Sequence, residues 1–207
     1  NSQAGILCAG TLKIEGTKTD SVVLRGIRLT QSYIHNAGAW LGLLYLRNSK
    51  KNTIKYAYID ESILGVYLGF QPRLKFEDIT DNTRAEIYIA NSFIKNAYYF
   101  AIRSWNNKIV AENSVFFTST ENLCQLALGG DYQFKHCTFY NSQSPKKKEL
   151  LSLTNFVYFD ELAKTFTGNL TKAEFTNCVW STTADESFAI AMMGGVDSNY
   201  SFNNCLY

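Results

Sequence analysis

One short phrase recurs five times and constrains this chain more than any other feature of its 207 residues. Each copy places a serine or a cysteine among β-forming residues, at Ser92, Ser114, Cys137, Cys178 and Cys205. Successive copies lie 22, 23, 41 and 27 residues apart. A self-similar period of this length is typical of a solenoid, in which one repeat forms one turn. The spacing therefore predicts stacked coils rather than packed globular layers.

Aligning the copies reveals two columns of mostly large apolar residues. The position three residues before the serine or cysteine holds Ile89, Ala111, Phe134, Phe175 and Phe202, and the position two residues after it holds Ile94, Phe116, Phe139, Trp180 and Tyr207. Side chains of a strand alternate between its two faces, so an odd step of three between buried positions requires a bend. The residues at this bend are Asn91, Asn113, His136, Asn177 and Asn204.

Asparagine suits such a bend because its short amide tolerates left-handed backbone and bonds to nearby main chain. Stacked amides can also bond to one another along the axis of the solenoid. We therefore expect the five bend residues to form an internal ladder of side chains. The neighbouring serines and cysteines are expected to form a buried stack of small side chains, with the thiols reduced.

The rest of the chain is compatible with one all-β domain, a single-stranded right-handed parallel β-helix over residues 1–207 with coils of about 22–27 residues. Double glycines after apolar strands, beginning at Gly129 and Gly194, mark a second bend. The step of 41 residues is expected to hold one coil with loop insertions near 142–149 and 155–171. Helical periodicity is weak, and its nearest instance, 159–166, predicts one or two turns inside a loop.

Several segments resemble the right-handed parallel β-helix repeat proteins of the pectate-lyase-like superfamily. They are residues 9–17, 40–56 and 129–139, with the coils around 176–178 and 203–205. More narrowly, the chain is similar to exported bacterial members known only as β-helix repeat proteins. The resemblance implies a place at the cell surface, in the periplasm or at the outer membrane, and a role in polysaccharide use. It also implies further strands before residue 9, so the sequence is expected to be a fragment of a longer chain.

The composition disfavours several classes of partner and cofactor. Twenty basic and eighteen acidic side chains leave a formal charge of +2, which gives no strong field for nucleic acid or an anionic membrane. No stretch approaches the roughly 18 consecutive apolar residues of a membrane span. Five cysteines without a C-x-x-C pair, and two histidines, disfavour a zinc site. We expect no cofactor, with calcium as the one alternative.

Candidate catalytic groups are sparse. The densest acidic group is Glu77, Asp78 and Asp81, followed by Arg84. Carboxylates beside an arginine can bind calcium or abstract a proton. A solvated loop is the preferred interpretation because charged side chains are mostly exposed. His136 stands in the bend column, which favours a structural role over general-base catalysis.

Aromatic residues offer a different chemistry. Tyr98, Tyr99, Trp105 and Tyr140 can present flat faces to sugar rings, although such residues serve as often in packing. The leading hypothesis is a non-catalytic exported domain that presents a surface for carbohydrate or protein binding, with a polysaccharide or a surface protein as partner. One alternative is a polysaccharide lyase or glycoside hydrolase whose catalytic groups converge only in three dimensions. The other is a structural stalk.

The two ends of a solenoid expose strand edges and an apolar cross-section, which caps normally cover. No amphipathic capping helix is readable at either end of this sequence. We therefore expect an insertion loop to cover one end, the native chain to continue, or copies to associate through their ends.

Overall fold

The computed structural model describes residues 4–27, 36–70, 83–141, 149–160, 163–183 and 187–207. Within them the chain winds as a single-stranded parallel β-helix, in which each coil contributes strands to three long sheets. The fold class expected from the repeat is confirmed. The expected right-handed winding agrees with the general rule that crossovers between parallel strands are right-handed in nearly all proteins. Among the described residues, no helix has the length and apolar character needed to cross a membrane.

In the described part of the chain, two of the sheets contain seven strands each. Sheet A contains, in spatial order, β1 (Gly5–Cys8), β4 (Trp40–Tyr45), β7 (Ser62–Leu68), β10 (Phe100–Trp105), β13 (Cys124–Ala127), β16 (Leu151–Thr154) and β21 (Phe188–Ala191). Sheet B contains β2 (Lys13–Glu15), β5 (Asn52–Lys55), β8 (Glu86–Ala90), β11 (Lys108–Glu112), β14 (Gly130–Lys135), β19 (Leu170–Thr176) and β22 (Ser198–Asn203).

The third sheet has six strands and lies between sheet B and the next strand of sheet A. Sheet C contains β3 (Val22–Leu24), β6 (Ala57–Ile59), β9 (Phe93–Ala97), β12 (Val115–Ser119), β15 (Thr138–Asn141) and β20 (Val179–Thr182). Each coil therefore runs from sheet A to sheet B to sheet C. Equivalent positions of successive coils pair in register, so like residues stack along the axis.

The core fills the tube between the three sheets, and the two apolar columns line it as the repeat predicted, except that Tyr207 in the last coil is 76% exposed. Phe134 stacks on Phe175 with ring centroids 5.1 Å apart, and Phe139 stacks on Trp180 at 3.8 Å. Earlier coils fill the same columns with aliphatic residues such as Ile54. Burial of these side chains is the main stabilising contribution, as in other β-structures with a closed core.

The step of 41 residues holds one coil and an insertion. β16 continues sheet A and β19 continues sheet B. Between them, β17 (Phe156–Phe159) and β18 (Lys164–Thr167) form an antiparallel hairpin. Most of the described residues of the span 159–166, for which helical turns are expected, are therefore strand, because β-branched and aromatic residues dominate the hairpin. One 3₁₀ turn remains at its tip, where the Ala163 N–H donates to the Asp160 carbonyl at 3.1 Å. The other expected insertion, 142–149, lies outside the described residues except for Glu149.

The corner between sheets B and C turns through a left-handed residue. Asn91, Asn113, His136, Asn177 and Asn204 have φ between 47° and 53°. The backbone N–H groups of the first four extend the hydrogen bonding between coils; that of Asn113 donates to the Lys135 carbonyl at 3.1 Å. The Asn91 side chain is half-buried and the other four are exposed. Within the described residues no hydrogen bond joins these side chains, so the internal ladder expected here is wrong.

The residue after each bend turns inward instead and fills the inside of the corner. Ser92, Ser114, Cys137 and Cys178 are buried, Cys205 is half-buried, and the three cysteines are free thiols. Each side chain bonds to the carbonyl two residues earlier. Ser114 Oγ donates to the Glu112 carbonyl at 2.8 Å, and Cys137 Sγ to the Lys135 carbonyl at 3.3 Å. Only a small side chain fits this inner position.

Amide side chains do bridge coils, but at the corner between sheets A and B. Asn52 accepts from the Leu12 N–H and donates to the Glu86 carbonyl, both at 2.8 Å. Asn107 accepts from the Ala85 N–H at 2.8 Å and donates to the Trp105 carbonyl at 2.7 Å. Asn155 bonds in the same way to both backbone groups of Met193. All three asparagines are almost fully buried.

Candidate functional site

The outer face of sheet A is the most distinctive surface of the described coils. One row of outward residues crosses five neighbouring strands in register: Leu44, Tyr67, Arg103, Gln125 and Ser152. Residues on either side of Arg103, namely Ile102 and Ser104, are fully buried. Because strand side chains alternate, this burial directs Arg103 outward.

Three aromatic rings surround the Arg103 guanidinium. Its central carbon lies 5.0 Å from the ring centroids of Tyr67, Phe100 and Trp105. Trp105 is two residues further along β10 and so shares the outer face, while Tyr67 is the register partner of Arg103 on β7. Each such contact between a cation and a ring face is worth roughly 0.5–1 kcal/mol at partly exposed sites. The rings therefore hold the guanidinium in place without neutralising its charge.

Two polar atoms in this row lack a hydrogen-bond partner although both are shielded from solvent. They are Nε of Arg103 and Oε1 of Gln125, which are register partners on adjacent strands. One is a donor and the other is an acceptor. Buried polar atoms are nearly always satisfied by protein or by ordered water, and here a donor and an acceptor lie side by side on adjacent strands. A hydroxyl group can satisfy both, because it donates and accepts at once.

Aromatic residues outside the sheet enclose this cluster. Phe159, from the hairpin insertion, meets Trp105 edge to face with ring centroids 5.9 Å apart. Phe70 meets Tyr67 in the same way at 5.5 Å. Burial raises the pKa of the Tyr67 phenol, and the positive charge of Arg103 opposes that shift. The phenol is therefore neutral and able to donate at physiological pH.

The four aromatic residues selected from sequence lie in three different places. Trp105 belongs to the Arg103 cluster. Tyr98 and Tyr99 are exposed at 46% and 41% at the corner that precedes β10, where they meet edge to face at 4.8 Å. Tyr140 lies on the outer face of sheet C and stacks on Phe117 at 5.1 Å. The fold therefore brings Tyr98 and Tyr99 to the border of the cluster and leaves Tyr140 on a different face.

The acidic candidates selected from sequence lie outside the described residues. Glu77, Asp78 and Asp81 lie outside the described part of the chain, and Arg84 is half-buried just before β8. In the described ranges, no group of three or more acidic, histidine or cysteine side chains is placed to hold a metal ion. His136 is exposed at its left-handed bend.

Two buried carboxylates that the sequence did not single out lie at the corner between sheets C and A. Asp60 accepts from Asn96 Nδ2 at 2.8 Å and pairs with Lys95 Nζ at 3.2 Å. Glu61 accepts from the Gly26 N–H at 3.1 Å. These partners tie three elements together at the corner, so the contacts of both carboxylates support a structural role.

Sequence reasoning missed Arg103, Tyr67 and Gln125. The available signal was alternation, because Arg103 stands between apolar Ile102 and the small Ser104, followed by Trp105. This alternation becomes informative only with the register of the neighbouring strands, which places Tyr67 and Gln125 on either side of Arg103.

Comparisons with protein-family models, with curated proteins and with solved structures found no match to this chain. The site is therefore interpreted from its own chemistry.

Proposed function

We propose that this β-helix is a non-catalytic carbohydrate-binding domain whose binding surface is the Arg103 cluster on sheet A. The carrying observation is the adjacent pair of unsatisfied atoms, Arg103 Nε and Gln125 Oε1, set among aromatic rings. Sugar hydroxyls supply an acceptor and a donor together. The apolar faces of sugar rings pack on aromatic side chains, which Trp105 and Phe100 provide at the same place.

The domain is further proposed to be an exported bacterial protein of the pectate-lyase-like superfamily, acting at the cell surface or in the periplasm. Support for this comes from the coil segments that resemble such proteins and from the parallel β-helix itself. Fold alone does not determine function, so the binding proposal depends on the cluster and not on this kinship.

A glycan array probed with the 207-residue chain tests the proposal, followed by affinity measurements on the best glycan. Arg103→Lys keeps the charge but removes the planar set of donors, including Nε–H. We expect it to weaken binding about tenfold, as the loss of one or two hydrogen bonds to a charged group predicts. Arg25→Lys, the same change at an exposed site outside sheet A, is the control and should bind normally.

The same samples distinguish the other functions. New unsaturated or reducing ends after incubation with the bound glycan would replace the proposal with a lyase or hydrolase. No binding to any glycan would favour a stalk. Equal affinity of Arg103→Lys and Arg25→Lys, with both proteins folded, would remove the Arg103 cluster as the binding surface.

A further inference from the structure

A second concave surface lies on the outer face of sheet B, a different side of the solenoid from the Arg103 cluster. It is a shallow groove of about 530 Å³ across β2, β5, β8 and β11. Its floor is a row of register partners: Lys13, Thr53, Tyr88 and Val110. This volume is typical of ligand sites.

Lysines outnumber carboxylates around this groove. The lining includes Lys13, Lys51, Lys55 and Lys108 but only two acidic residues, Glu15 and Glu86. Both carboxylates already have cationic partners. Glu15 lies 3.7 Å from Lys55 Nζ, and Glu86 lies 3.2 Å from Lys50 Nζ. A third carboxylate, Glu112, accepts from the Tyr88 hydroxyl beside the groove, so three acidic residues face five lysines once Lys50 is included.

Three lysines remain to attract an anion. Lys13 and Lys51 have no ion-pair partner in the described part of the chain. Lys108 lies 4.0 Å from Asp131, and that carboxylate is shared with Lys172 at 3.8 Å. Lys51 directly precedes β5 and Lys108 begins β11, two strand spacings or about 10 Å away, with Glu86 at the start of β8 between them. They can therefore contact two successive anionic groups of an extended ligand.

Tyr88 provides an aromatic surface at the centre of the same groove. Its hydroxyl donates to Glu112 at 3.2 Å, which fixes the ring, and Lys55 Nζ lies 5.7 Å from the ring centroid. A ring beside cations suits a sugar that carries anionic substituents. Lysine ammonium groups act as compact point charges with several donors, which suits the charge spread over the oxygens of a sulfate or phosphate ester.

We propose that the sheet B groove binds a glycan bearing sulfate or phosphate esters, at a site separate from the carbohydrate surface of sheet A. Tyr88 packs against a sugar ring, and Lys13, Lys51 and Lys108 bind its ester groups. The chain as a whole carries only +2, so the attraction is local to this groove.

The test measures binding of the 207-residue chain to dextran sulfate, phosphorylated dextran, carboxymethyl dextran, unmodified dextran and inorganic polyphosphate. At least one of the two esters should bind, more weakly as salt rises, because exposed charges are screened. The double variant Lys51→Gln/Lys108→Gln should lose about tenfold in affinity. Lys18→Gln/Lys164→Gln removes the same charge outside the groove and should bind normally.

Tyr88→Leu separates a glycan site from a general polyanion site. It should weaken binding of the dextran ester while leaving any polyphosphate binding unchanged. Preference for one ester identifies the anionic group and supports the proposal. Equal losses in the groove variant and its control, carboxymethyl dextran binding as tightly as the esters, or no effect of Tyr88→Leu would each overturn it. Arg103→Lys keeps its charge on sheet A and should leave the difference in affinity between the dextran ester and unmodified dextran unchanged, so failure here is distinct from failure of the sheet A surface.

Discussion

The two corners on either side of sheet B are built in opposite ways. The corner between sheets B and C repeats the same pair, a left-handed residue with an outward side chain and a small inward one. The corner between sheets A and B varies in length from coil to coil. It is two residues long at 106–107, whereas between β16 and β19 it contains the hairpin of β17 and β18. Its asparagines are buried and bridge coils. Backbone conformation thus specifies one corner, and side-chain hydrogen bonds stabilise the other while its loops vary.

Asn107→Ala should have the largest effect of the changes that test this contrast. It leaves the buried Ala85 N–H without an acceptor and removes one donor from the Trp105 carbonyl. At about 1–3 kcal/mol for each unsatisfied buried group, we expect the free energy of unfolding to fall by about 3 kcal/mol. The measurement is urea denaturation with the slope checked for constancy.

Asn113→Ala should cost less, because its side chain is exposed and only its left-handed backbone matters. A residue with a Cβ pays roughly 1–2 kcal/mol in this conformation, and asparagine tolerates it better than alanine, so a loss of about 1 kcal/mol is expected. Asn113→Gly should change stability little, since glycine adopts positive φ freely. If Asn113→Gly were as harmful as Asn107→Ala, the side chain of Asn113 would be bridging coils after all.

The contrast also explains what the sequence could predict. The corner between sheets B and C recurs in every aligned copy, so its spacing, its buried small column and the flanking apolar columns were readable. The positions of the buried asparagines that bridge coils were not readable from the sequence. An asparagine suits both a left-handed turn and a buried bridge, and Asn52 and Asn107 do not occupy one repeating position in the sequence.

The candidate site was less predictable because outward positions do not repeat. Trp105 was selected for its chemistry alone. Arg103 becomes distinctive only once the register places Tyr67 beside it, and the hairpin brings Phe159 over Trp105 from more than fifty residues away. In a solenoid the interior is constrained by stacking of like residues, whereas each outer face is free to vary from coil to coil.

Cys137→Ser should have the smallest effect and addresses the inner half of the repeated corner. The column holds serine at 92 and 114 and cysteine from 137 onward, yet the contact is the same. Ser114 Oγ and Cys137 Sγ each donate to the carbonyl two residues earlier. Because a serine at 137 can satisfy its hydroxyl in this way, the free energy of unfolding should change by less than about 1 kcal/mol.

Cys137→Leu is the matched test of size at the same position. The site is buried between neighbouring coils, and inserting a larger side chain into a packed interior typically costs about 1–3 kcal/mol. Thermal unfolding of the two variants in reducing buffer should therefore place Cys137→Ser near the parent and Cys137→Leu clearly below it. The reverse order would mean that apolar character, rather than small volume, is what this position requires.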